Sequence, residues 1–268
     1  MHDAKAKRRR EKGRPPLERV YMDSQSDRVA VITGGARGFG KAFGHALAGQ
    51  GLRVVQLDLD MAAASAAADE IGPNAVAMQG DVADEDAMHG IMQDVANQYG
   101  GIDILINNAG IHSAEANKPI GVLGTAATRR MFEVNIWGVI HCTLAARPFM
   151  TGRQDASIVN ISSMAAYGAQ MAYGVSKLAV RGLTTSFAHE LGPDGIRVNA
   201  LAPGLILTDT IRAELPQEVL SHVKAMQILK RDGGEQDIVA AMLWLVSSAA
   251  SFVTGETIRI SGGATLQV

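Results

Sequence analysis

Short apolar runs and longer amphipathic stretches alternate along the chain from residue 27 onward. The segment 28–32 is a continuous apolar run after its first residue, Arg28, which is typical of a strand that is covered on both faces. The intervening stretches, such as 61–71 and 85–99, are predicted to be helices. This alternation predicts an α/β fold in which crossover helices wrap a parallel sheet in one Rossmann-like, doubly wound domain.

The same pattern gives approximate bounds for the elements. Strands are predicted at 28–32, 53–57, 74–79, 102–106, 157–161, 196–201 and 257–260. Helices are predicted at 41–49, 61–71, 85–99, 128–150, 173–191 and 235–248. Residues 111–127 are predicted to form a loop or short helix, and 209–232 an irregular to helical, mobile flap.

Composition narrows the class of protein. At 268 residues and 47% hydrophobic content, the chain can bury a large core. Its single cysteine, Cys142, excludes an internal disulfide framework and a cysteine metal cluster. The seven histidines are scattered without ligand spacing, so no metal site is predicted. The apolar run at 238–246 is too short to span a bilayer, and a cytoplasmic location is the default expectation.

Charge is distributed unevenly. Residues 1–24 hold eight Lys/Arg and four acids, which leaves 17 basic against 23 acidic residues, or −6, for the rest. We therefore predict a basic, disordered extension at 1–24 and the Rossmann domain at 25–268, with no nucleic-acid surface in the domain. A role for the extension on anionic surfaces or as a nuclear signal, and a translation start at Met22, stay open.

A glycine-rich segment follows the first predicted strand. Its pattern is T-G-x-x-x-G-x-G, with Gly34, Gly38 and Gly40 directly before the helix at 41–49. Glycines allow a tight turn and a close backbone approach to a pyrophosphate, whose charge the helix N-terminus attracts. On this motif alone, an ordinary glycine-rich loop is the alternative.

The end of the second predicted strand bears on the choice of cofactor. Asp58 lies about 20 residues beyond the glycines, where an acid holds the adenosine ribose and repels a 2′-phosphate. Arg37 favours the opposite choice, since its guanidinium could reach that phosphate. We expect the acid to dominate, so NAD is predicted and NADP is less favoured.

Two later strand ends carry further candidates. Asp81 could accept a hydrogen bond from the adenine amino group, or it could cap the helix that starts near residue 84. Asn107, Asn108, Ala109 and Gly110 follow the fourth strand, where small residues let a cofactor pass close to the sheet and Asn side chains tie loops together.

Tyr173 and Lys177 carry the candidate chemistry. Residues at i and i+4 share a helix face, so the Lys177 ammonium can lie beside the Tyr173 phenol. A nearby cation favours the phenolate of a side chain whose pKa is ordinarily about 10. Ser163 follows the strand at 157–161 and can offer a hydroxyl to the same reacting oxygen. The group suits proton transfer to or from an alcohol or carbonyl, although a solvated Tyr–Lys pair is the alternative.

Taken together, the motifs resemble the short-chain dehydrogenase/reductase family over residues 27–265. The resemblance implies a seven-stranded parallel sheet and hydride transfer between a nicotinamide cofactor and a small-molecule alcohol or ketone. It also implies a homotetramer. The matching pieces are 33–40, Asp58, Asp81-Val82, 107–110, Asn135, Ser163, Tyr173 with Lys177, Pro203-Gly204, 252–255 and 262–263.

The resemblance also implies roles for individual residues. Tyr173 would be the general acid/base, Ser163 would polarise the substrate oxygen, Lys177 would bind the nicotinamide ribose, and Asn135 would position a water in a proton relay. The expected cofactor-binding residues are Gly34, Arg37, Gly38, Phe39, Gly40, Asp58, Asp81, Val82, Asn108, Ala109, Gly110, Tyr173, Lys177, Pro203, Gly204, Ile206 and Thr208.

One departure from the family pattern affects the substrate side. Family members usually separate the catalytic Ser and Tyr by about thirteen residues, whereas Ser163 and Tyr173 are ten apart. The shorter loop leaves an ambiguity between Ser162 and Ser163, and makes Tyr167 and Met171 candidates for lining the cleft.

Three functions remain to be compared. The first is an NAD(H)-dependent oxidoreductase of secondary alcohols and ketones. The alternatives are an NADPH-dependent 3-oxoacyl-thioester reductase, which Arg37 would suit, and an inactive cofactor-binding scaffold. His112 follows Gly110 and could line the cleft, although a solvated loop histidine is the expectation for its position.

Overall fold

A computed structural model describes residues 28–112, 116–206 and 217–264. The predicted extension at 1–24 and the candidate Thr208 lie outside these residues. Within them, seven strands form one parallel sheet in the order β3-β2-β1-β4-β5-β6-β7. The predicted fold class is therefore confirmed. The strands are β1 (Val29–Thr33), β2 (Arg53–Asp58), β3 (Ala75–Gln79), β4 (Ile104–Asn107), β5 (Ser157–Ile161), β6 (Arg197–Pro203) and β7 (Thr257–Ile260).

Nine α-helices and a π-helix connect these strands in the described part of the chain. The α-helices are α1 (Gly38–Gly49), α2 (Met61–Ile71), α3 (Glu85–Tyr99), α4 (Ile120–Leu123), α5 (Thr125–Phe132), α6 (Gly138–Met150), α7 (Ala172–Leu191), α8 (Gln217–Met226) and α9 (Glu235–Val246). The π-helix is Glu133–Trp137.

The chain is helical throughout the predicted helix at 128–150, but a π-helical segment that the sequence pattern did not specify divides it. The chain forms α5, then the π-turn, then α6, and Asn135 lies in the π-turn with its side chain fully buried. A π-turn widens the helix locally, as π-bulges often do at functional sites. In the predicted flap at 209–232, α8 shows that 217–226 is helical, while residues 207–216 lie outside the described part.

The core consists of two apolar layers, one on each face of the sheet. One layer packs α3, α6 and α7 against β1, β2, β4, β5 and β6, and it contains the buried Cys142. The other packs α1 and α9 against the opposite face. Because both faces are covered, the strands read as continuous apolar runs, which is why the sequence located them well. No helix among the described residues is long and apolar enough to cross a membrane.

A buried ion pair fixes the end of the sheet opposite the carboxyl ends of the strands. Asp103 is 4% exposed, and it accepts hydrogen bonds from the Val29 backbone N–H at 2.7 Å and from Arg153 Nε at 2.8 Å. The Arg153–Asp103 pair raises the pKa of the guanidinium, and a hydrogen bond to the carboxylate is the main cause. This contact ties β1 to the chain entering β4.

We expect Asp103→Ala to lower the free energy of unfolding by about 3 kcal/mol, because it leaves Arg153 and the Val29 N–H without their acceptor. Chemical denaturation measures this. Glu190→Ala is the matched control, since the Glu190 pair with Arg147 is exposed and should contribute less than about 1 kcal/mol. Equal losses in the two variants would contradict the structural role of Asp103.

Candidate active site

Tyr173 and Lys177 lie in the first two turns of α7, at the carboxyl edge of the sheet. Lys177 is 5% exposed, and its Nζ donates a hydrogen bond of 2.8 Å to the Ile161 carbonyl at the end of β5. The same Nζ lies 5.8 Å from the centroid of the Tyr173 ring. The i, i+4 spacing therefore places the ammonium beside the phenol, as predicted from the sequence.

Burial shifts the pKa values of the two groups in opposite directions. Desolvation lowers the pKa of Lys177 to about 8, because it disfavours the charged ammonium. Desolvation raises the pKa of Tyr173 to about 12, and a hydrogen bond with the Ser163 side chain offsets part of that rise. The protein alone thus holds a neutral phenol beside an ammonium at neutral pH.

The structure separates the two candidate serines. Ser162 is buried, and its hydroxyl donates to the Lys177 carbonyl at 2.8 Å, so it ties β5 to α7. Ser163 is half-buried, accepts from the Ala165 N–H at 3.1 Å and hydrogen-bonds Tyr173. Of the two hydroxyls, the geometry brings that of Ser163 to the phenol.

Asn135 joins the π-turn to two other elements. Its Oδ1 accepts from the Ile111 N–H at 2.7 Å, and its Nδ2 donates to the Ile111 carbonyl at 3.2 Å and to Ser176 Oγ at 3.0 Å. Ser176 in turn donates to the Tyr173 carbonyl at 2.7 Å. The buried amide therefore holds the loop after β4 against the N-terminal turns of α7.

His112 lies beside the candidate tyrosine. It is exposed, but its ring packs against that of Tyr173, with centroids 4.6 Å apart and planes inclined by 55°. A solvated loop histidine was the expectation, because nothing local in the sequence joins residue 112 to residue 173. The one feature of the sequence that indicated this contact is the position of His112, two residues beyond Gly110.

The glycine-rich segment forms a tight turn between β1 and α1. Gly34 has φ +63°, and a Cβ on Gly40 would lie 2.1 Å from the Gly34 carbonyl, so both positions require glycine. Asn108 Nδ2 fastens this turn through hydrogen bonds to the carbonyls of Thr33 (3.1 Å) and Gly34 (2.9 Å). Thr33 Oγ1 accepts from the N–H groups of Asn108 and Ala109, at 3.1 and 3.0 Å.

The turn leaves room for a phosphate-bearing ligand. Arg37 occupies the N-cap position of α1, but its side chain makes no capping hydrogen bond, and the first turn of α1 contains no acidic residue. The backbone N–H groups at the start of α1 therefore favour an external anion. A Cβ on Gly38 would meet nothing within 4 Å. Phe39, in the first turn of α1, packs against Phe43, with ring centroids 6.2 Å apart. These observations fit a dinucleotide.

Asp58 ends β2 beside this turn. Its Oδ2 accepts from the Ala36 N–H at 3.0 Å and its Oδ1 from the Asp60 N–H at 3.1 Å. The carboxylate is half-buried, whereas the side chain of Arg37 is exposed. Asp58 is thus held in place by the backbone and retains lone pairs for ribose hydroxyls.

Asp81 is engaged in an ion pair that the sequence did not indicate. Its Oδ2 accepts from Arg130 at 2.7 Å and its Oδ1 from the Ala83 N–H at 3.0 Å. Burial raises the pKa of the Asp81 carboxyl, but these two hydrogen bonds and the Arg130 charge together hold it below its ordinary value. Asp84, not Asp81, caps α3. Val82 packs against Gly138, where an added Cβ would lie 2.6 Å from its side chain.

The remaining candidates lie at two other strand ends. A Cβ on Gly110 would lie 3.3 Å from both Lys177 Nζ and Asn135 Oδ1, so Gly110 borders the catalytic group. Pro203 ends β6, the Gly204 N–H donates to the Ile260 carbonyl at 2.9 Å, and Ile206 is buried and bridged to Gly233.

Tyr167 and Met171 occupy the shortened segment. Two guanidinium groups lie near the ring of Tyr167, with Arg181 at 4.0 Å and Arg259 at 5.2 Å from its centroid. Its ring thus contacts side chains of α7 and β7, while Met171 is the N-cap residue of α7.

In residues 28–112, 116–206 and 217–264, no three His, Cys, Asp or Glu side chains are grouped as a metal site would require.

Comparisons with known proteins agree with this geometry. A family model described as enoyl-(acyl carrier protein) reductase matches residues 34–265. A cis-4-hydroxycyclohexanecarboxylate dehydrogenase of Sinomonas cyclohexanicum is 37% identical over 90% of this chain and 97% of its own length. A 3-oxoacyl-(acyl-carrier-protein) reductase of Staphylococcus aureus is 34% identical, over 87% and 96% respectively.

A solved structure shows the same fold. It is a short-chain dehydrogenase/reductase from Brucella melitensis described as a glucose/ribitol dehydrogenase, with a TM-score of 0.81 and 31% identity over 91% of this chain and 99% of that chain. The protein belongs to the short-chain dehydrogenase/reductase family. It is an oxidoreductase that acts on CH–OH groups with a nicotinamide dinucleotide.

Proposed function

We propose that the protein is an NAD(H)-dependent dehydrogenase that interconverts a secondary alcohol and its ketone, with Tyr173 as the general acid/base. One observation carries the proposal: the buried Lys177 ammonium lies beside the Tyr173 phenol, and the Ser163 hydroxyl is hydrogen-bonded to that phenol. This constellation can hold a substrate oxygen and move a proton at a single atom.

The roles follow from the chemistry of each side chain. In the oxidising direction, Tyr173 would accept the alcohol proton as the phenolate while Ser163 holds the same substrate oxygen. The protein alone holds the neutral phenol, so the positive charge of a bound oxidised nicotinamide would be needed, together with Lys177, to favour the phenolate. In the reducing direction, the phenol returns that proton to the forming alkoxide. Lys177 favours the phenolate through its charge, and Asn135 orders the loop and helix around the pair. A bound nicotinamide cofactor supplies hydride exchange with the carbinol carbon.

The cofactor would be held along the carboxyl edge of the sheet. The α1 N-terminus and the turn at 33–40 would take the pyrophosphate, and Asp58 the adenosine ribose. The open space at Gly38 and the close packing at Gly34 and Gly40 support this assignment. Residues proposed to border the rest of the cofactor are Asp81, Val82, Asn108, Ala109, Gly110, Lys177, Pro203, Gly204, Ile206 and Thr208.

Assembly and location are also proposals. We infer a cytoplasmic location and a homotetramer. The tetramer is supported by apolar side chains that are exposed in the single chain. Trp137 in the π-turn is 53% exposed, and Leu178 on α7 is 44% exposed. Phe252, shortly before β7, is fully exposed. Surfaces of this kind favour burial between subunits.

The function is tested by absorbance of the reduced nicotinamide at its characteristic band. Purified protein is mixed with NAD or NADP and a panel of secondary alcohols that includes cis-4-hydroxycyclohexanecarboxylate, the compound named for the Sinomonas relative. Reduction of NAD by at least one alcohol is the expected result. Protein that binds NADH but oxidises no alcohol in a broad panel would favour an inactive scaffold.

A second function is an NADPH-dependent reductase of 3-oxoacyl thioesters. It is supported by Arg37 at the start of α1 and by the Staphylococcus aureus relative. Oxidation of NADPH by a 3-oxoacyl thioester, faster than any NAD-dependent reaction in the panel, would favour this alternative. Asp58 is the observation against it, because its charge opposes a 2′-phosphate.

We expect Asp58→Asn to raise the ratio of kcat/KM for NADP to that for NAD by about tenfold or more, since the change removes one negative charge from the ribose site. Steady-state kinetics with a single alcohol measures the ratio. Asp60→Asn, which removes an exposed charge two residues away, is the control and should leave the ratio unchanged. An unaltered ratio in Asp58→Asn would show that this carboxylate does not select the cofactor.

A further inference from the structure

The chain after β3 is held beside the residue proposed to bind the adenosine ribose. The Gly80 N–H donates to the Asp58 carbonyl at 3.0 Å, and Gln79 Nε2 donates to the Leu59 carbonyl at 3.1 Å. Asp81 follows directly, and its side chain is 32% exposed, so a ligand can reach it. Because the base of a dinucleotide is bonded to the ribose, a base whose ribose lies at Asp58 comes within reach of the end of β3.

The orientation of the Asp81 carboxylate is fixed at both oxygens. Its Oδ1 accepts from the Ala83 N–H at 3.0 Å, and its Oδ2 accepts from Arg130 Nη2 at 2.7 Å. A carboxylate has about four lone-pair sites, so these two bonds leave each oxygen able to accept from a ligand. The two contacts differ in origin, because the first comes from the same loop and the second from α5, 49 residues away along the chain.

Arg130 is itself held from two sides. Its Nη2 bonds Asp81, and its Nη1 lies 3.9 Å from Oε2 of Glu133, three residues further along the helix. A guanidinium is a rigid planar fork, so an acid at each of two nitrogens restricts its rotation. The side chains of all three residues are partly exposed, and ion pairs of this kind contribute little to stability. The main effect of the Arg130 contact is therefore on the direction in which the Asp81 carboxylate points.

The backbone at 81–83 does not depend on Arg130. His141 Nδ1 donates to the Val82 carbonyl at 3.0 Å. Gly138 packs closely on the Val82 side chain, because a Cβ added at Gly138 would lie 2.6 Å from it. Removal of the Arg130 guanidinium should therefore free the Asp81 carboxylate while the loop after β3 stays in place.

We propose that Arg130 is a positioning residue for cofactor recognition, which holds Asp81 Oδ2 so that the carboxylate accepts a hydrogen bond from the amino group of adenine. The protein then selects a dinucleotide whose base carries a donor at that position. Hypoxanthine has a carbonyl oxygen where adenine has the amino group, and a carboxylate repels it. The inference rests on the proposed function of the protein as a dinucleotide-dependent dehydrogenase and specifies how the base is recognised.

The test measures binding by fluorescence titration with three reduced cofactors: NADH, its hypoxanthine analogue, and reduced nicotinamide mononucleotide, which has no base. Wild type should bind NADH at least about tenfold more tightly than the hypoxanthine analogue, the effect of one hydrogen bond to a charged group. Arg130→Met should lower this ratio to about threefold or less by weakening NADH alone. The affinities for the hypoxanthine analogue and the mononucleotide should stay close to those of wild type.

Two further variants control for charge and for the helix. Arg129→Met makes the same change at the preceding residue, which is exposed and also lies in the last turn of α5, and should keep the wild-type ratio. Arg130→Lys retains a cation that can donate to Asp81, so it should keep most of the preference for NADH.

A double-mutant cycle shows whether Arg130 acts through Asp81. Asp81→Ala should lower the ratio of the two affinities about as far as Arg130→Met does. In the Asp81→Ala protein, Arg130→Met should change the ratio no further, because the group that it positions is absent.

Equal weakening of all three ligands by Arg130→Met would show a merely structural role and overturn the proposal. A wild type without preference between the two dinucleotides, or additive losses in the double variant, would overturn it as well. Alcohol oxidation is measured separately. A protein that prefers NADH through Arg130 but oxidises no alcohol would defeat the dehydrogenase function and leave the positioning role standing, whereas a protein that binds no dinucleotide would defeat both.

Discussion

Tyr173→Phe should lower kcat for alcohol oxidation by about 1,000-fold while NADH binds within about threefold of the wild-type affinity. The substitution removes the only atom of the side chain that can exchange a proton with the substrate. It preserves the aromatic ring, so the packing against His112 and beside Lys177 is retained. The protein should therefore fold, bind and fail only in chemistry.

Stopped-flow absorbance of the reduced nicotinamide measures the chemical step, and fluorescence titration measures NADH binding. Tyr99→Phe is the matched control, because it removes a phenol from α3 and keeps the ring on which the Arg53 guanidinium lies at 4.8 Å. Its kcat should equal that of wild type. A Tyr173→Phe enzyme that retains more than about a tenth of wild-type kcat would exclude Tyr173 as the general acid/base.

The strands of the sheet could be predicted closely from the sequence because the hydrophobic pattern of each strand depends only on residues within that strand. The bounds of β5 and β7 were predicted to the residue, and all five residues of β5 are buried, as expected of a strand that is covered on both faces. The spacing of Tyr173 and Lys177 likewise fixes their relation, because both belong to one helix. In each case the deciding information lies within about ten residues of chain.

Contacts between distant segments were harder to predict. The π-turn holds Asn135, whose side-chain partners Ile111 and Ser176 lie 24 and 41 residues away along the chain. The position of His112, next to Ile111, depends on the same hydrogen bonds. The pairing of Asp81 with Arg130 crosses 49 residues and joins the end of β3 to α5. A sequence pattern can indicate that a polar side chain needs a hydrogen-bond partner, but it does not identify a partner that lies far away along the chain.

The choice between Ser162 and Ser163 illustrates the same limit. Adjacent residues at the end of a strand point to opposite sides, so one hydroxyl faces α7 and the other faces the cleft. The sequence contains both serines and cannot say which side is which. The hydrogen bond from Ser162 to the Lys177 carbonyl makes Ser162 part of the frame that holds the lysine, and the Ser163 hydroxyl is the one hydrogen-bonded to Tyr173.

The frame around Lys177 has an energetic cost. Burial lowers the pKa of the ammonium to about 8, which means that the folded protein holds this charge against its preference for water. A single hydrogen bond of 2.8 Å to the Ile161 carbonyl offsets part of that cost. Sites that need a charge in a dry environment commonly trade stability for function in this way.

Lys177→Met should therefore impair catalysis and change how stability depends on pH. Without the ammonium, the Tyr173 phenolate loses its favourable charge, so kcat at pH 7 should fall by about 100-fold or more. The remaining activity should rise with pH to higher values than in wild type. Lys118→Met, the same change at an exposed position, should leave activity unaltered.

The sign of the stability effect follows from the lowered pKa. An unfolded lysine titrates near pH 10.4, whereas folded Lys177 titrates at about 8. Between these values the unfolded chain binds more protons, so a rise in pH favours the folded wild type. The unfolding free energy of wild type minus that of Lys177→Met should increase by about 2 kcal/mol between pH 7.5 and 10. Urea denaturation at several pH values measures the difference, and a value that stays constant or falls over this range would contradict a desolvated ammonium at the centre of the site.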